Sequence, residues 1–261
     1  MSAAVDWAEN LASWAIPQEI LDAAPADPWE YHVDHFARVA DRPPDLSSPS
    51  YLRAMEGLPD GGTVLDIGCG AGAASLPLAH RAGRLIGLDE SEGMLAAFAE
   101  RARVAGVAHA EVQGRWPDAR ADVAAVDVVV SHHVLYNVRD IEPFVAALAD
   151  HAGRRFVVEI TAEHPRATEN PLWRALHGIE RPTRPTADDA VAVMRDLGLE
   201  VGVERWRKAM VQADLPREDL IKIVRVELCL PPERDPEIAK VLEEHPPPQD
   251  REVVTLWWDR V

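Results

Sequence analysis

Cysteine is almost missing from this chain: 261 residues include only two, Cys69 and Cys229. Two thiols cannot make a disulfide framework, so stability must come from a packed core, and a reducing cytoplasm is the expected setting. Basic residues are scarce as well, 27 Lys plus Arg against 44 Asp plus Glu, for a formal net charge of −17. A surface of that sign repels a phosphate backbone on average, and no nucleic-acid partner is expected. No uncharged apolar run approaches the roughly 18 to 20 residues that span a bilayer. The opening MSAAVDWAENLASWAIPQ lacks the basic start and long apolar core of a secretion signal, so no membrane partner is expected either. Internal repeats are absent.

What is present is an alternation of short apolar runs and helical patterns from residue 63 to 161, the mark of a mostly parallel sheet covered on both faces. Strands are expected at 63–67, 84–88, 109–113, 125–130 and 154–160. The run after Asp89 opens with Ser91 as a cap and carries Met94, Leu95, Phe98 and Ala102 at helical spacing. Thr186, Asp189 and Gly198 bracket a helix over 187–197, followed by a strand at 199–206. The β-branched and aromatic segment 252–258 predicts a last strand, antiparallel beside the previous one. The expected fold is α/β: a Rossmann-like seven-stranded mostly parallel sheet with an antiparallel last strand, helices on both faces, and a partly helical lid.

The expected organisation is an N-terminal helical cover over 1–58, holding Trp7, Trp14, Trp29, Tyr31, Phe36 and Tyr51, and a ligand-binding core over 59–162. Insertions at 163–185 and 207–250 form the lid, and 186–206 with 251–261 complete the core. Segments of that length without the core pattern tend to be functional covers.

The densest signal is Val64-Leu65-Asp66-Ile67-Gly68-Cys69-Gly70-Ala71-Gly72. It reads as strand, glycine turn and helix start, where an open α/β sheet holds a nucleoside cofactor. The glycines follow G-x-G-x-G, not the G-x-G-x-x-G of dinucleotide folds. Asp66 would oppose a doubly anionic pyrophosphate but suits a ligand with an ammonium and a sulfonium. An NAD-linked oxidoreductase is disfavoured on both counts.

VLDIGCGAG resembles the first motif of class I S-adenosylmethionine-dependent methyltransferases of the small-molecule type. The resemblance implies S-adenosylmethionine as cofactor, with Asp66, Gly68, Cys69, Gly70 and Gly72 around its methionine part and a helix N-terminus facing its carboxylate. Asp89, ending LIGLD, matches the family's acidic residue on the ribose hydroxyls, and Ser91 with Met94 resembles the run that follows it. Adenine would lie between Glu90 and the loop Gly114-Arg115-Trp116, although the family often has an acid where Arg115 stands. Ser131, at the end of the fourth strand, would approach the methionine ammonium.

Methyl transfer from a sulfonium needs alignment, exclusion of water and, for a weakly acidic hydroxyl, a base. His132 and His133 stand where the resemblance puts the acceptor, His133 being preferred; on an extended strand the two would point to opposite sides unless the chain has turned. Sugar and natural-product O-methyltransferases of this class can carry a similar histidine pair. A divalent metal on His132, His133 and Glu159 is the lesser reading, since the spacing follows no local ligand motif. Tyr136, Trp173 and Arg181 are the candidate acceptor contacts. The expected activity is O-methylation of a small-molecule hydroxyl. The alternatives are a catalytically silent S-adenosylmethionine-binding partner and a methyltransferase acting on RNA or protein.

Overall fold

The computed structural model describes residues 2–28, 43–210 and 215–260. Trp29, Tyr31 and Phe36 of the N-terminal aromatic group lie outside the described residues. Seven strands make one sheet: β1 (Thr63–Ile67), β2 (Arg84–Asp89), β3 (Ala108–Gln113), β4 (Val126–His132), β5 (Ala152–Thr161), β6 (Gly202–Ala209) and β7 (Asp250–Asp259). Their order across the sheet is β3-β2-β1-β4-β5-β7-β6. β7 runs antiparallel between β5 and β6, and the β1–β2, β1–β4, β2–β3 and β4–β5 pairs are parallel. The last strand runs antiparallel beside the previous one, as expected, and lies between β5 and β6. The order reverses between β1 and β4, which opens a crevice at the carboxyl ends of those strands.

Described helices are α1 (Ala3–Ala12), α2 (Gln18–Ala23), α3 (Pro49–Gly57), α4 (Glu92–Ala105), α5 (Ile141–His151), α6 (Asn170–His177), α7 (Ala187–Asp196), α8 (Arg217–Glu227) and α9 (Asp235–Glu244). The expected caps form: the Ser91 side chain accepts from Met94 N at the start of α4, and Thr186 N donates to Asp189 at the start of α7. Each satisfies a backbone or side-chain group that a helix end leaves open.

Leu65, Ile67, Val129 and Phe156 face α1, α5 and α7, while Val64, Val128, Val130 and Val157 face α3 and α4. Strands buried on both faces read as continuous apolar runs, which is why β4 is VDVVV. Trp7 of α1 is fully buried in the first layer, and Ala54 and Leu58 around α3 in the second. The division expected at residue 58 is thus no packing boundary: α1 and α3 are layers of the core, because their apolar faces find the sheet.

A third, smaller cluster gathers Ile16, Trp173, Leu176, Leu228, Ile238 and Leu242 from the segments outside the sheet. α1 and the turn that follows it reach to both sides through two indoles. Trp7 Nε1 donates to Val138 O at 2.8 Å, and Trp14 Nε1 donates to Arg184 O at 2.6 Å.

Candidate functional site

The crevice has two corners. At the first, β1 delivers Asp66, only 1% exposed. Its Oδ2 accepts from Ser75 Oγ at 2.6 Å, and its Oδ1 is buried with no hydrogen-bond partner among the described residues. Burial pushes the carboxyl up to about 7; the Ser75 hydrogen bond opposes that shift and the neighbouring Asp89 charge adds to it. A buried acceptor without a donor is costly, and an incoming ammonium relieves it.

The turn above is shaped by backbone. Gly68 has φ +66°, and a Cβ there would stand 2.5 Å from Val134 Cγ2, so the exit of β4 presses directly on the turn. Gly70 has φ +51°, and a Cβ there would meet nothing within 4 Å, leaving its outer side open. Asp89, ending β2, fastens the turn: Oδ2 accepts from Gly70 N and Oδ1 from Ser91 N, both at 2.9 Å. Each carboxylate oxygen keeps a second lone pair, which suits a ribose diol. Cys69 is 5% exposed and packs its thiol toward Gly87, so only its backbone can face a ligand. Met94 is buried, and Ser131 Oγ donates to Ile67 O at 3.1 Å, stitching β4 to β1.

Glu90 and Arg115 form an exposed ion pair, 3.2 Å apart, at the rim where adenine was expected. The Trp116 ring turns inward, its Nε1 donating to Phe144 O at 3.3 Å. Trp116, in the loop expected beside adenine, is buried in the core next to Phe144, where a large apolar ring gains by leaving water. Asp66, the open glycine turn and Asp89 together fit S-adenosylmethionine.

The second corner is the end of β4. His133 has φ +61°, a left-handed backbone rare for a non-glycine residue. That turn brings both imidazoles to one carboxylate. His133 Nε2 lies 2.8 Å from Glu159 Oε1, and His132 Nδ1 lies 3.9 Å from Glu159 Oε2. The opposite-facing alternative is therefore corrected by the bend. Lys208, on β6, also bonds Glu159.

Glu159 is 2% exposed. Burial pushes its carboxyl up, but His132, His133 and Lys208 outweigh that and hold it well below the usual carboxylate range. Burial lowers His133, against the Glu159 hydrogen bond, and lowers His132 to about 4. Both imidazoles are neutral near pH 7. Among the described residues no group of three His, Cys, Asp or Glu is placed to hold a metal ion. The donor set does not fit one at His132, His133 and Glu159, because Lys208 and the His133 N–H already occupy the carboxylate.

The three expected acceptor contacts are corrected to structural ones. Tyr136 donates its hydroxyl to Thr161 O at 2.9 Å and stacks on Trp7. Trp173 is 2% exposed, inside the smaller cluster. Arg181 lies 4.9 Å above its ring and donates to Trp14 O and Ala15 O. Groups engaged with carbonyls and rings of the protein itself are not left for a solute. Conversely, Ser75, Lys208 and Arg251 belong to the crevice and were not singled out in the sequence. Ser75 lies nine residues past Asp66 with no motif to mark it, and the other two arrive through the β6–β7 register, where Lys208 sits opposite Arg251.

Residues 64–153 match the family model described as a methyltransferase domain. Over those residues the chain is similar to methyltransferase domains. A ubiquinone biosynthesis O-methyltransferase of Rhizobium johnstonii is 31% identical over 150 residues, covering 52% of this chain and 58% of that protein. An uncharacterised protein of Haemophilus influenzae is 30% identical over 138 residues, 52% of this chain and 51% of that protein. The chain thus spans about half the length of the curated relatives it matches. Among solved structures, a cyclopropane-fatty-acyl-phospholipid synthase-like protein from Lactobacillus casei superposes with a TM-score of 0.58 at 16% identity, over 93% of this chain and 98% of that one. At that identity the likeness speaks to the methyltransferase fold. No described helix is long and apolar enough to cross a membrane.

Proposed function

We propose that this chain transfers a methyl group from S-adenosylmethionine to a hydroxyl oxygen of a small molecule, with His133 as general base. The carrying observation is the His133–Glu159 pair. The 2.8 Å contact uses Nε2, so Glu159 fixes that nitrogen as the N–H and leaves Nδ1 as the free acceptor. One third of the side chain is exposed, at 33%, and no described residue bonds Nδ1. A neutral imidazole held this way takes a proton without first having to lose one.

When bound, the cofactor supplies an electrophilic methyl on a positively charged sulfur. Asp66 would hold its ammonium, the Gly68–Gly72 turn its carboxylate side and Asp89 its ribose, while Glu90 and Arg115 border the base. His133 removes the hydroxyl proton as the oxygen attacks; Glu159 then stabilises the imidazolium. The O-methyltransferase named among the relatives supports oxygen as the acceptor atom. The test is a pair of measurements on His133→Ala: S-adenosylhomocysteine affinity by calorimetry and single-turnover methylation. Unchanged affinity with turnover lowered about 10²- to 10³-fold is the expected result. Full turnover would overturn the histidine base, and loss of wild-type binding to S-adenosylhomocysteine would overturn the cofactor assignment.

A further inference from the structure

Beside the histidine corner lies a cationic ledge that neither the cofactor turn nor the proposed base uses. The sheet register builds it. Glu159 pairs with Thr255, and Lys208 pairs with Arg251, so Arg251, Thr255 and Glu159 share one face at the carboxyl edge of the sheet. His132, opposite Glu159, stands on the same face.

The charges there do not close. Glu159 is engaged by His133 and by Lys208. Arg251 is half-buried, feels Glu159 only at longer range, and makes no hydrogen bond or ion pair with any described residue. It also lies close enough to His133 for its charge to be felt there. Asp45, exposed, is the other carboxylate near Lys208, and both its side-chain contacts go to Ser47. Every other arginine on these two strands is paired: Arg205 with Asp188 and Glu252, Arg207 with Asp250. A guanidinium withdrawn partly from water with no counter-ion in contact among the described residues is expensive, and its planar fork matches a two-oxygen anion.

We propose that Arg251, flanked by Lys208, binds an anionic oxygen group on the methyl acceptor, so that the acceptor is a hydroxylated carboxylate or phosphate held by its charged end while its hydroxyl reaches His133. The inference rests on the methyltransferase reading and narrows its substrate class. It also gives a use to the bend at His133, since base and anchor then stand on the same side of the sheet. Thr255 does not take part: it is fully buried, and its hydroxyl is held by Ser50 and Trp206.

The experiment is calorimetry on the full chain saturated with S-adenosylhomocysteine, titrated separately with 4-hydroxybenzoate, 4-hydroxyphenyl phosphate and neutral 4-hydroxybenzamide. One of the anions should bind about tenfold tighter than the amide, and which one does so names the group. In Arg251→Gln that preference should vanish while S-adenosylhomocysteine affinity stays unchanged; Arg251→Lys, which keeps the charge and packing, should retain part of it. Equal binding of amide and anions by the wild-type chain, or an undiminished preference in folded Arg251→Gln, would overturn the proposal. Should Arg251→Gln fail to fold, Arg251→Lys with undiminished preference for a two-oxygen anion would overturn the role of the fork. Failure of the wild-type chain to bind S-adenosylhomocysteine at all would sink the methyltransferase reading instead.

Discussion

The two corners of the crevice are built on different plans. The cofactor corner runs from Asp66 to Ser91, is made largely of backbone amides and glycine dihedrals, and is held by hydrogen bonds between residues at most 19 positions apart. The other corner, proposed to take the acceptor, collects His132 and His133, Glu159, Lys208 and Arg251 from four strands and their ends, and is made of side chains. A site made of backbone tolerates little change of residue at its turns; a site made of side chains can be rewritten one position at a time while the sheet stays put. That contrast explains why a fold of this kind accepts many substrates around one cofactor.

Substitutions should separate the two plans. The largest effect is expected at His133, where alanine lowers kcat about 10²- to 10³-fold without moving S-adenosylhomocysteine affinity. Asp66→Asn should do the opposite, weakening S-adenosylmethionine binding by about 10- to 100-fold through loss of one charged hydrogen bond, with little change in kcat at saturation. Calorimetry and saturation kinetics on the two variants form a crossed test, and a shared loss of both properties in either would erase the distinction. Glu159→Gln should fall between, lowering kcat about tenfold, because the base loses the partner that sets its tautomer. Its pH–rate profile should shift to lower pH, since the neutral amide no longer stabilises the imidazolium.

Two pH effects sharpen the comparison further. The Asp66 carboxyl titrates at about 7 when no cation faces it, against an ordinary 3.8. Binding an ammonium favours the ionised form, so cofactor binding should release a proton, and affinity should fall by up to about tenfold per pH unit below that value. Titrations in buffers of different ionisation enthalpy read the proton directly; no release at pH 6.5 would remove Asp66 from the ammonium. The smallest effect belongs to the helical insertion. Glu169 is buried, and that burial together with the Glu227 charge raises its carboxyl from 4.5 to about 8. In the folded chain it keeps its proton while the unfolded chain loses it, so stability falls as pH rises between those values. Glu169→Gln should flatten that slope, seen as a smaller drop in Tm between pH 5 and 8.

The same contrast decides what could be read from residues alone. The cofactor corner was legible because its determinants are local: strand, G-x-G-x-G turn and Asp89 follow one another, and the charge of Asp66 selects among nucleosides. Strand positions up to β5 were legible for a similar reason, since both-face burial writes long apolar runs. The β6–β7 end was less so. β6 alternates half-buried and exposed positions along GVERWRKA, and it begins at Gly202, beyond the expected 199. That a terminal strand would wedge between β5 and β6 depends on pairings across the chain, which no local pattern encodes. Lys208 and Arg251 stayed hidden for that reason, among many charged residues of no special spacing. Tyr136, Trp173 and Arg181 misled in the opposite sense: aromatic and cationic residues beside a crevice look like ligand contacts until their carbonyl and ring partners are known.

The indole of Trp7 holds the carbonyl of Val138, five residues beyond His133, while the indole of Trp14 holds the carbonyl of Arg184 in the insertion. The helix α1 and the turn just after it thereby act as a strut with a foot on each side. Under the proposed mechanism a displacement of the outer helices would be felt, through that strut, in the segment that follows His133, which would couple the seating of the cover to the aim of the proposed base.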